Sequence, residues 1–346
     1  MKSGKFSKKL IYNLLISLFF IVTYCTQEGE EFVQVPEPEY FLSRDQTHNK
    51  FSKNIPPVLR VPSGAVIEAN TEEASDEQIR LDSGVGIMYS LDFDPIHPLT
   101  GPVYIENAEP GDVLAVTLHK IEIGYWGWVA ISPGFGFLSE EFIAPYLKTF
   151  KLGKDISSVS FTDNISIPLK PFPGVMGVAP DTEEMLTTIP PRANGGNMDN
   201  PYLTEGTTVY FPVFVEGALF SIGDAHAAQG MGEVCGTAIE APMRIIYQVE
   251  VIKNKPYILE PHYETKEYYA VSAFGETLDE AAKKALVYMI DYLEAEKGID
   301  RTEAYVLCWI FVFSADFICR DMPFFIVSAI NRQFSFRVVP KIKIRA

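Results

Sequence analysis

The sequence predicts an α+β protein that is mainly β, with a sandwich- or barrel-like body and a C-terminal helical α/β portion. Short alternating apolar segments separated by Gly and Pro turns fill residues 46–260, as in VLRVPSGAVIEANT and VYIENAEPGDVLAVTLHKIEIG. The 24 Gly and 24 Pro residues favour such turns over long helices. In residues 261–346 the apolar period becomes helical, which predicts that the helices come late in the chain.

The first late helix has signals at both ends. Thr277 and Glu280 have the spacing of a capping box, and Gly298 follows the apolar pattern as a stop. Asp300 and Glu303 repeat the capping spacing and predict a second helix. The first helix has one apolar face, which we interpret as core. Its members are Leu278, Ala282, Ala285, Leu286, Met289 and Leu293.

Residues 1–25 are predicted to be a signal peptide or an N-terminal anchor. Lysines precede the apolar run LIYNLLISLFFIVTY, an order typical of secretory signals, and the run is short for a membrane span. Cys25 ends the run and is a candidate for lipidation, which would attach the protein to a membrane through its N-terminus. Residues 26–45 are acidic and unpatterned, and we interpret them as a tether. We therefore expect an exported protein of the cell envelope or another extracytoplasmic location.

Charge and cysteine content exclude several classes of protein. A net charge of −16 argues against nucleic acid as a partner, because binding to phosphates needs clustered Lys and Arg. No phosphate-binding Gly-rich loop is found. The remaining cysteines, Cys235, Cys308 and Cys319, are too few and too scattered for a disulfide framework, so the core must hold the fold.

The segment GDAHAAQGMGEVCG concentrates side chains that can bind metal or move protons. Asp224 and His226 are two residues apart, so in an extended strand both project to the same side. A carboxylate and an imidazole there form half of a credible zinc site. Glu233 and Glu240 follow and can complete the ligand set or serve as a base. The alternative is a polar Gly-rich loop whose Asp and His only satisfy backbone groups.

Two further segments carry candidate functional residues. In PPRANGGNMDN, Asn197 and Asp199 follow Gly195 and Gly196, and a tight Gly-Gly turn lets backbone amides approach a ligand closely. The alternative for this segment is an ordinary hairpin turn. In DPIHPLTGP, His97 lies between prolines, and we interpret it as a surface or packing residue.

Several long motifs resemble, in order along the chain, those of the acetamidase/formamidase family: HPLTGPVYIENAEPGDVL, PFPGVMGVAP, NGGNMD, and GDAHAAQG followed by GEVCGTAIE. The resemblance covers the chain from about Thr47 to about Ser328. It implies hydrolysis of small aliphatic amides, such as formamide and acetamide, to the carboxylate and ammonia. It also implies a mainly β fold, assembly into a homo-oligomer and dependence on a divalent metal, for which we predict zinc, with calcium as the alternative.

The resemblance also implies roles for individual residues. The metal candidates are Asp224, His226 and Glu240, with Asn197 and Asp199 nearby. Glu233 is the predicted proton shuttle, because amide hydrolysis must move a proton from water to the departing nitrogen. Asn197 and the backbone amides of Gly195 and Gly196 are predicted to act at the developing oxyanion. His48 and Gln229 are the candidates for substrate binding.

Two alternatives remain open at the level of sequence. In the first, the thiolate of Cys235 attacks the amide with His226 as its base. In the second, the protein is a non-catalytic, envelope-anchored protein that binds small ligands and has kept the amidase fold. Met231 favours the second, since it stands where the family commonly has Asp. The apolar segment Trp309–Arg320 also favours it, since it replaces a polar segment of the family.

Overall fold

A computed structural model describes residues 34–317 and 325–332, with side chains described as far as residue 310. The described residues from Pro36 onward form one compact unit. The predicted signal or anchor segment and Cys25 lie outside the described residues, so export and lipidation stay predictions. Among the helices that the structure describes, none is both long enough and apolar enough to cross a membrane.

Strands dominate the described part of the chain, and the helices follow near its end. In chain order the strands are β1 (Tyr40–Leu42), β2 (Thr47–His48), β3 (Lys50–Phe51), β4 (Leu59–Val61), β5 (Val66–Thr71), β6 (Leu99–Ile105), β7 (Val113–Ile123), β8 (Trp126–Ile131), β9 (Tyr146–Lys151), β10 (Ser158–Thr162), β11 (Ile165–Pro168), β12 (Phe172–Gly177), β13 (Leu186–Thr187), β14 (Gly195–Asn197), β15 (Thr208–Pro212), β16 (Phe220–Ala228), β17 (Ile239–Glu240), β18 (Met243–Ile252), β19 (His262–Glu264), β20 (Tyr268–Gly275), β21 (Val312–Phe317) and β22 (Phe325–Arg332). A 3-10 helix covers Val85–Tyr89, and two α-helices follow, α1 (Leu278–Lys297) and α2 (Arg301–Phe311).

The strands form two large curled sheets, which confirms the prediction of a mainly β, barrel-like body with late helices. The first sheet has the order β1-β5-β18-β7-β15-β19-β20-β22-β21. The second has the order β14-β12-β16-β17-β8-β9, with β6 also paired to β16 and carrying β2 and β4. Small two-stranded sheets, β10 with β11 and β3 with β13, lie beside them.

Two predicted boundaries shift in the structure. Strand β1 lies inside the predicted tether and pairs in parallel with β5, with Tyr40 opposite Ile67. Leu42 on this strand is fully buried, so the folded body begins before residue 46. Strands β19 and β20 continue the first sheet, so the β-rich part extends past residue 260.

The core lies between the two sheets. Ile67 and Leu114 from the first sheet and Met176 and Ile222 from the second are fully buried in one apolar cluster. Burying a side chain of this size contributes roughly 1.5–3 kcal/mol. Strand β16 is buried along all but its last residue, which explains its small side chains in FSIGDAHAA. The same burial removes its two ionisable side chains, Asp224 and His226, from water, and both belong to the candidate site.

Helix α1 begins and ends where the sequence predicts, and α2 begins where it predicts. The Thr277 hydroxyl accepts a hydrogen bond from the Glu280 amide at 3.2 Å, and Gly298 ends α1 with φ 63°. Asp300 caps α2 by accepting a hydrogen bond from the Thr302 amide at 2.9 Å.

The buried face of α1 is rotated from the predicted one. Ala285, Met289 and Leu293 are buried as predicted, but Leu286 is only partly buried. Tyr288 and Tyr292 are buried instead, and Leu278 and Ala282 only partly. The reason is that the helix packs on β20 and β22: the Tyr292 ring stacks on Tyr269 of β20 at 3.6 Å between centroids, and Tyr288 contacts His262 of β19.

A buried histidine beneath this helix makes the stability of the fold sensitive to acid. His262 is fully buried, its Nδ1 lies 2.8 Å from the Tyr269 hydroxyl, and burial lowers its pKa to about 3. An unfolded chain takes up the proton near pH 6.5, so stability is lost as pH falls from about 6.5 toward 3, at roughly 1.4 kcal/mol per pH unit.

We expect His262→Phe to remove this part of the acid sensitivity. Between pH 7 and pH 5, the free energy of unfolding should fall about 2 kcal/mol less in the variant than in the wild type. Denaturant unfolding at both pH values measures the difference. Parallel losses in the two proteins would show that His262 does not titrate on unfolding.

Candidate metal centre and active site

Strand β16 supplies two polar side chains to a buried cluster in the second sheet. Asp224 and His226 project to the same side, and His226 Nε2 lies 3.4 Å from Asp224 Oδ2. Both residues are at most 2% exposed. Asp224 has a left-handed backbone, with φ 49°. The sheet therefore buries an imidazole and a carboxylate and fixes the distance between them.

Glu240 joins this pair from the neighbouring strand β17. The register places Glu240 opposite His226, and its Oε2 lies 3.3 Å from His226 Nε2. Its Oε1 accepts a hydrogen bond from the Ala238 amide at 2.7 Å, whereas Oε2 is buried and accepts none. Ligand atoms of Asp224, His226 and Glu240 lie within 4.8 Å of one another. The three side chains could hold one metal ion.

A second group shares the same histidine. One ligand atom from each of Asp199, His226 and Glu233 also lies within 4.8 Å of the others. Asp199 follows β14 with φ 44°, and Glu233 lies in the loop after β16 with φ 42°. Gly174 on β12 makes room for the cluster, because a Cβ there would come 2.6 Å from His226 Cε1. The segments that the sequence singled out separately therefore meet in space.

Gln229 orients the imidazole of His226. Its Oε1 lies 2.7 Å from His226 Nδ1, and its Nε2 donates a hydrogen bond to the Asp199 carbonyl at 2.8 Å. The ring of Phe172 contacts the imidazole edge to face at 5.1 Å between centroids. These contacts direct Nε2 toward the carboxylates, an arrangement common for histidine ligands. Gln229 thus has a positioning contact at each end of its amide, and its role in substrate binding stays a prediction.

The cluster concentrates negative charge in a buried place. Burial raises the pKa of Glu240, and burial together with the Asp199 carboxylate holds the pKa of Glu233 well above its usual value. Burial alone would lower the pKa of His226, but Glu240 and Asp224 raise it well above normal. Burial alone would raise the pKa of Asp224, but the neighbouring imidazoles of His97 and His226 lower it overall. A buried set of this kind requires protons or a cation to balance it.

A cavity of about 60 Å³ opens onto the cluster. Asp224, Glu233 and Glu240 lie in its wall, together with Asn197 and His97. The remainder of the wall is mostly apolar and consists of Ala74, Leu91, Phe93, Ile96, Trp128, Ser132, Phe135, Ile189, Gly236 and Thr237. One water-sized group needs roughly 10–15 Å³ of such space, so the cavity fits about four to six of them.

His97 was interpreted from the sequence as a surface or packing residue, and the structure corrects this. Its Nε2 lies 3.8 Å from Asp224 Oδ2, and it lines the cavity. Its backbone amide donates to the Thr188 hydroxyl at 2.9 Å, which fixes the turn that carries it. The pairing of β6 with β16 brings this histidine to the cluster. A pairing between strands so far apart along the chain could not be predicted from the residues around His97.

The predicted oxyanion role of Gly195 and Gly196 is wrong in this structure. The Gly195 amide donates to the Arg192 carbonyl at 2.8 Å, and Gly196 lies opposite Met176 in the β12–β14 ladder. Neither glycine lines the cavity. Asn197 does line it, is 6% exposed, and its Oδ1 accepts no hydrogen bond from the described residues. Of the three, only Asn197 can contact a bound molecule.

His48 does not reach the cavity, so its predicted role in substrate binding is also wrong. Its Nε2 lies 2.7 Å from the Ser221 hydroxyl and its Nδ1 lies 2.6 Å from the Lys50 carbonyl. Burial lowers its pKa to about 4. The neutral ring ties β2 and β3 to the start of β16 and has a structural role.

The loop after β16 also contains Cys235 and Met231, on which the alternatives partly depended. The other segment, Trp309–Arg320, lies largely outside the residues whose side chains are described. The thiol of Cys235 donates to the Thr237 carbonyl at 3.4 Å, and Cys235 is not among the residues that line the cavity. The Met231 side chain is 40% exposed and does not line the cavity either. The structure thus gives no support to a cysteine nucleophile, or to a ligand missing at Met231.

A small, mostly apolar cavity thus ends on buried carboxylates and an imidazole within a curled β fold, and the comparisons with known proteins identify this arrangement as that of an amidohydrolase. The chain belongs to the Acetamidase/Formamidase family, whose model matches residues 38–187 and 182–314. This match confirms the family resemblance seen in the sequence motifs.

Two solved structures and one curated relative are similar to this chain. A predicted acetamidase/formamidase from Thermoanaerobacter tengcongensis has a TM-score of 0.78 and 34% identity, covering 85% of this chain and 95% of that one. An acetamidase from Bacillus halodurans has a TM-score of 0.79 and 30% identity, covering 84% and 97%. A formamidase from Methylophilus methylotrophus is 26% identical over 308 residues, which cover 69% of this chain and 74% of that protein.

Proposed function

We propose that the protein hydrolyses short aliphatic amides, such as formamide and acetamide, to the carboxylate and ammonia, with a bound divalent metal that we expect to be zinc. The observation that carries the proposal is the buried cluster of Asp224, His226 and Glu240 at one end of a small, largely apolar cavity. Family membership supports amide hydrolysis, and the formamidase and acetamidase relatives support short amides as substrates.

The donor set fits a divalent metal. Nitrogen from imidazole and oxygen from carboxylates are ordinary zinc ligands, and three protein ligands leave room for further coordination. The buried Glu240 Oε2 accepts no hydrogen bond from the described residues, which is costly unless a cation or a proton occupies the site. Asp224, His226 and Glu240 would hold the ion, and Asp199 and Glu233 lie beside it. A bound divalent ion polarises a carbonyl and lowers the pKa of water.

Glu233 is placed to move the protons. It lines the cavity, is partly buried and lies against Asp199 and His226. Burial and the Asp199 carboxylate raise its pKa, which makes it a stronger base toward water than an ordinary carboxylate. It takes a proton from the attacking water and passes the proton to the departing nitrogen. A carboxylate that stayed fully ionised would be a poorer donor in the second step.

The rest of the cavity orients the substrate. The Asn197 Oδ1 is buried and accepts no hydrogen bond within the described protein, so it can accept one from the N–H of the amide. The carbonyl then faces the carboxylate cluster. The apolar wall excludes bulk water and receives the alkyl end of the molecule. A space for about four to six water-sized groups matches an amide of two or three non-hydrogen atoms beyond its nitrogen, together with one water.

Metal analysis combined with an ammonia-release screen tests the proposal. We expect purified protein to contain about one equivalent of zinc and to release ammonia from amides of one to four carbons, with a preference for the shortest. Chelation should abolish release, and added zinc should restore it. Circular dichroism before and after chelation serves as the folding control. Full activity in metal-free, folded protein would contradict the metal role, and no release from any amide would contradict the proposed reaction.

A further inference from the structure

Glu73 is a buried carboxylate outside the metal cluster, and it adjoins Ala74 in the cavity wall. Its side chain is fully buried and follows β5. Burying a carboxylate is costly unless hydrogen bonds replace the lost water. Here hydrogen-bond donors of the protein surround the Glu73 carboxylate. The residues that supply these donors are the ones whose positions the carboxylate fixes.

Four hydrogen bonds fill the acceptor positions of Glu73. Its Oε1 accepts from the Ser75 hydroxyl at 2.6 Å and from the Glu77 amide at 2.7 Å. Its Oε2 accepts from the Ser75 amide at 2.8 Å and from the Trp128 indole Nε1 at 2.6 Å. One carboxylate thus joins the turn after β5 to a tryptophan on β8. Ala74 lies inside the turn that the carboxylate encloses.

Both ends of this network form part of the cavity wall. Trp128 and Ala74 line the cavity and belong, with the partly buried Leu91, to one apolar cluster. Trp128 is opposite Glu240 in the β8–β17 ladder, so its ring stands beside a predicted metal ligand. An amide whose carbonyl faces the cluster directs its alkyl chain along this wall. We define Ala74, Leu91 and Trp128 as the acyl wall.

We infer that Trp128 sets the upper limit on acyl chain length and that Glu73 is the residue that positions it. The inference rests on the proposed amide hydrolysis. The indole fills the space that additional methylene groups would need, and the Glu73 hydrogen bond prevents the ring from turning aside. Without that hydrogen bond the indole has no other polar contact among those described for it. The ring can then move, and the acyl wall accommodates a longer acyl chain.

The test is a ratio of activities, which general damage to the protein would not change. We compare kcat/KM for butyramide and acetamide in the wild type, Trp128→Phe and Glu73→Gln. One methylene in an apolar pocket changes kcat/KM by roughly 10–200-fold. We expect Trp128→Phe to raise the butyramide-to-acetamide ratio at least about tenfold. Glu73→Gln should raise it in the same direction by a smaller factor, since its one carbonyl oxygen cannot accept from the donors at both oxygen positions of the carboxylate.

Two further variants make the test specific. Trp126→Phe is the matched control, because Trp126 is a buried indole of the same strand and cluster but does not line the cavity. It should leave the ratio within about twofold. In the double variant, Glu73→Gln should not raise the butyramide-to-acetamide ratio beyond that of Trp128→Phe alone. The indole that Glu73 positions is already absent there. If Glu73→Gln does not fold, Trp128→Phe still decides whether the wall limits chain length.

The outcomes separate this inference from the proposed function. Wild-type hydrolysis of acetamide with an unchanged ratio in Trp128→Phe overturns the inference alone. Equal losses on both amides in Glu73→Gln, with a shifted ratio in Trp128→Phe, overturn the positioning role of Glu73. Wild-type protein that releases no ammonia overturns the proposed function, and calorimetric affinities for acetamide and butyramide then decide the inference with the same variants.

Discussion

Glu233→Gln should reduce kcat for acetamide by about 10²–10⁴-fold while the protein retains its metal. Glutamine keeps the size and shape of the side chain but cannot take a proton from water or deliver one to the leaving nitrogen. Glu233 lines the cavity without belonging to the Asp224–His226–Glu240 group. Turnover and metal content should therefore respond independently in this variant, as measured by ammonia release and elemental analysis.

His226→Ala should lose metal and turnover together. His226 supplies the one nitrogen shared by both potential ligand groups, and its Nε2 lies 3.3–3.4 Å from carboxylate oxygens of Glu240 and Asp224. Cys235→Ser is the matched control, since its thiol bonds to the Thr237 carbonyl and does not line the cavity. That variant should keep most of the activity. An inactive Cys235→Ser beside a metal-loaded His226→Ala would identify the cysteine as nucleophile and refute the metal mechanism.

Leu293→Ala should lower the free energy of unfolding by about 2–5 kcal/mol. Leu293 is 2% exposed and packs with Met289 in the cluster between α1 and the first sheet. Truncation removes apolar contact and leaves a cavity that the surrounding aromatic rings cannot easily fill. Denaturant unfolding of the wild type and the variant measures the loss.

Leu286→Ala provides the comparison, because it makes the same chemical change on the same helix. Leu286 is only partly buried, so its truncation should cost clearly less, by about a factor of two or more. Equal losses at the two positions would mean that the helix packs with the phase that the sequence predicted rather than with the observed one.

Local patterns predicted the elements of the fold well where the physical cause was local. Helix ends are determined within one helical turn, so the local sequence is enough to predict them. This holds for the caps at Thr277 and Asp300 and for the stop at Gly298. The phase of α1 was less accessible, because it depends on which side chains of β19 and β20 lie below the helix. Strand β1 was missed for a similar reason, since it forms only by pairing with β5.

The same distinction applies to the site. Asp224 and His226 were recognisable because a strand places alternate residues on one side, whatever surrounds it. His97 and Trp128 were not, because they reach the cavity only through the pairing of β6 with β16 and of β8 with β17. The error at Gly195 has another cause. Glycine spacing indicates a tight turn, but it does not show whether the amides are already used within that turn.

The left-handed backbone of three acidic residues has a consequence for how this protein can change. Asp199, Asp224 and Glu233 all have positive φ, which is unfavourable for residues other than glycine, and more so for Glu than for Asp. Glycine at any of these positions would relax the chain but remove a carboxylate. At these three positions, substitutions that increase the stability of the fold therefore reduce turnover. A lineage released from the need for catalysis should accumulate glycine there first.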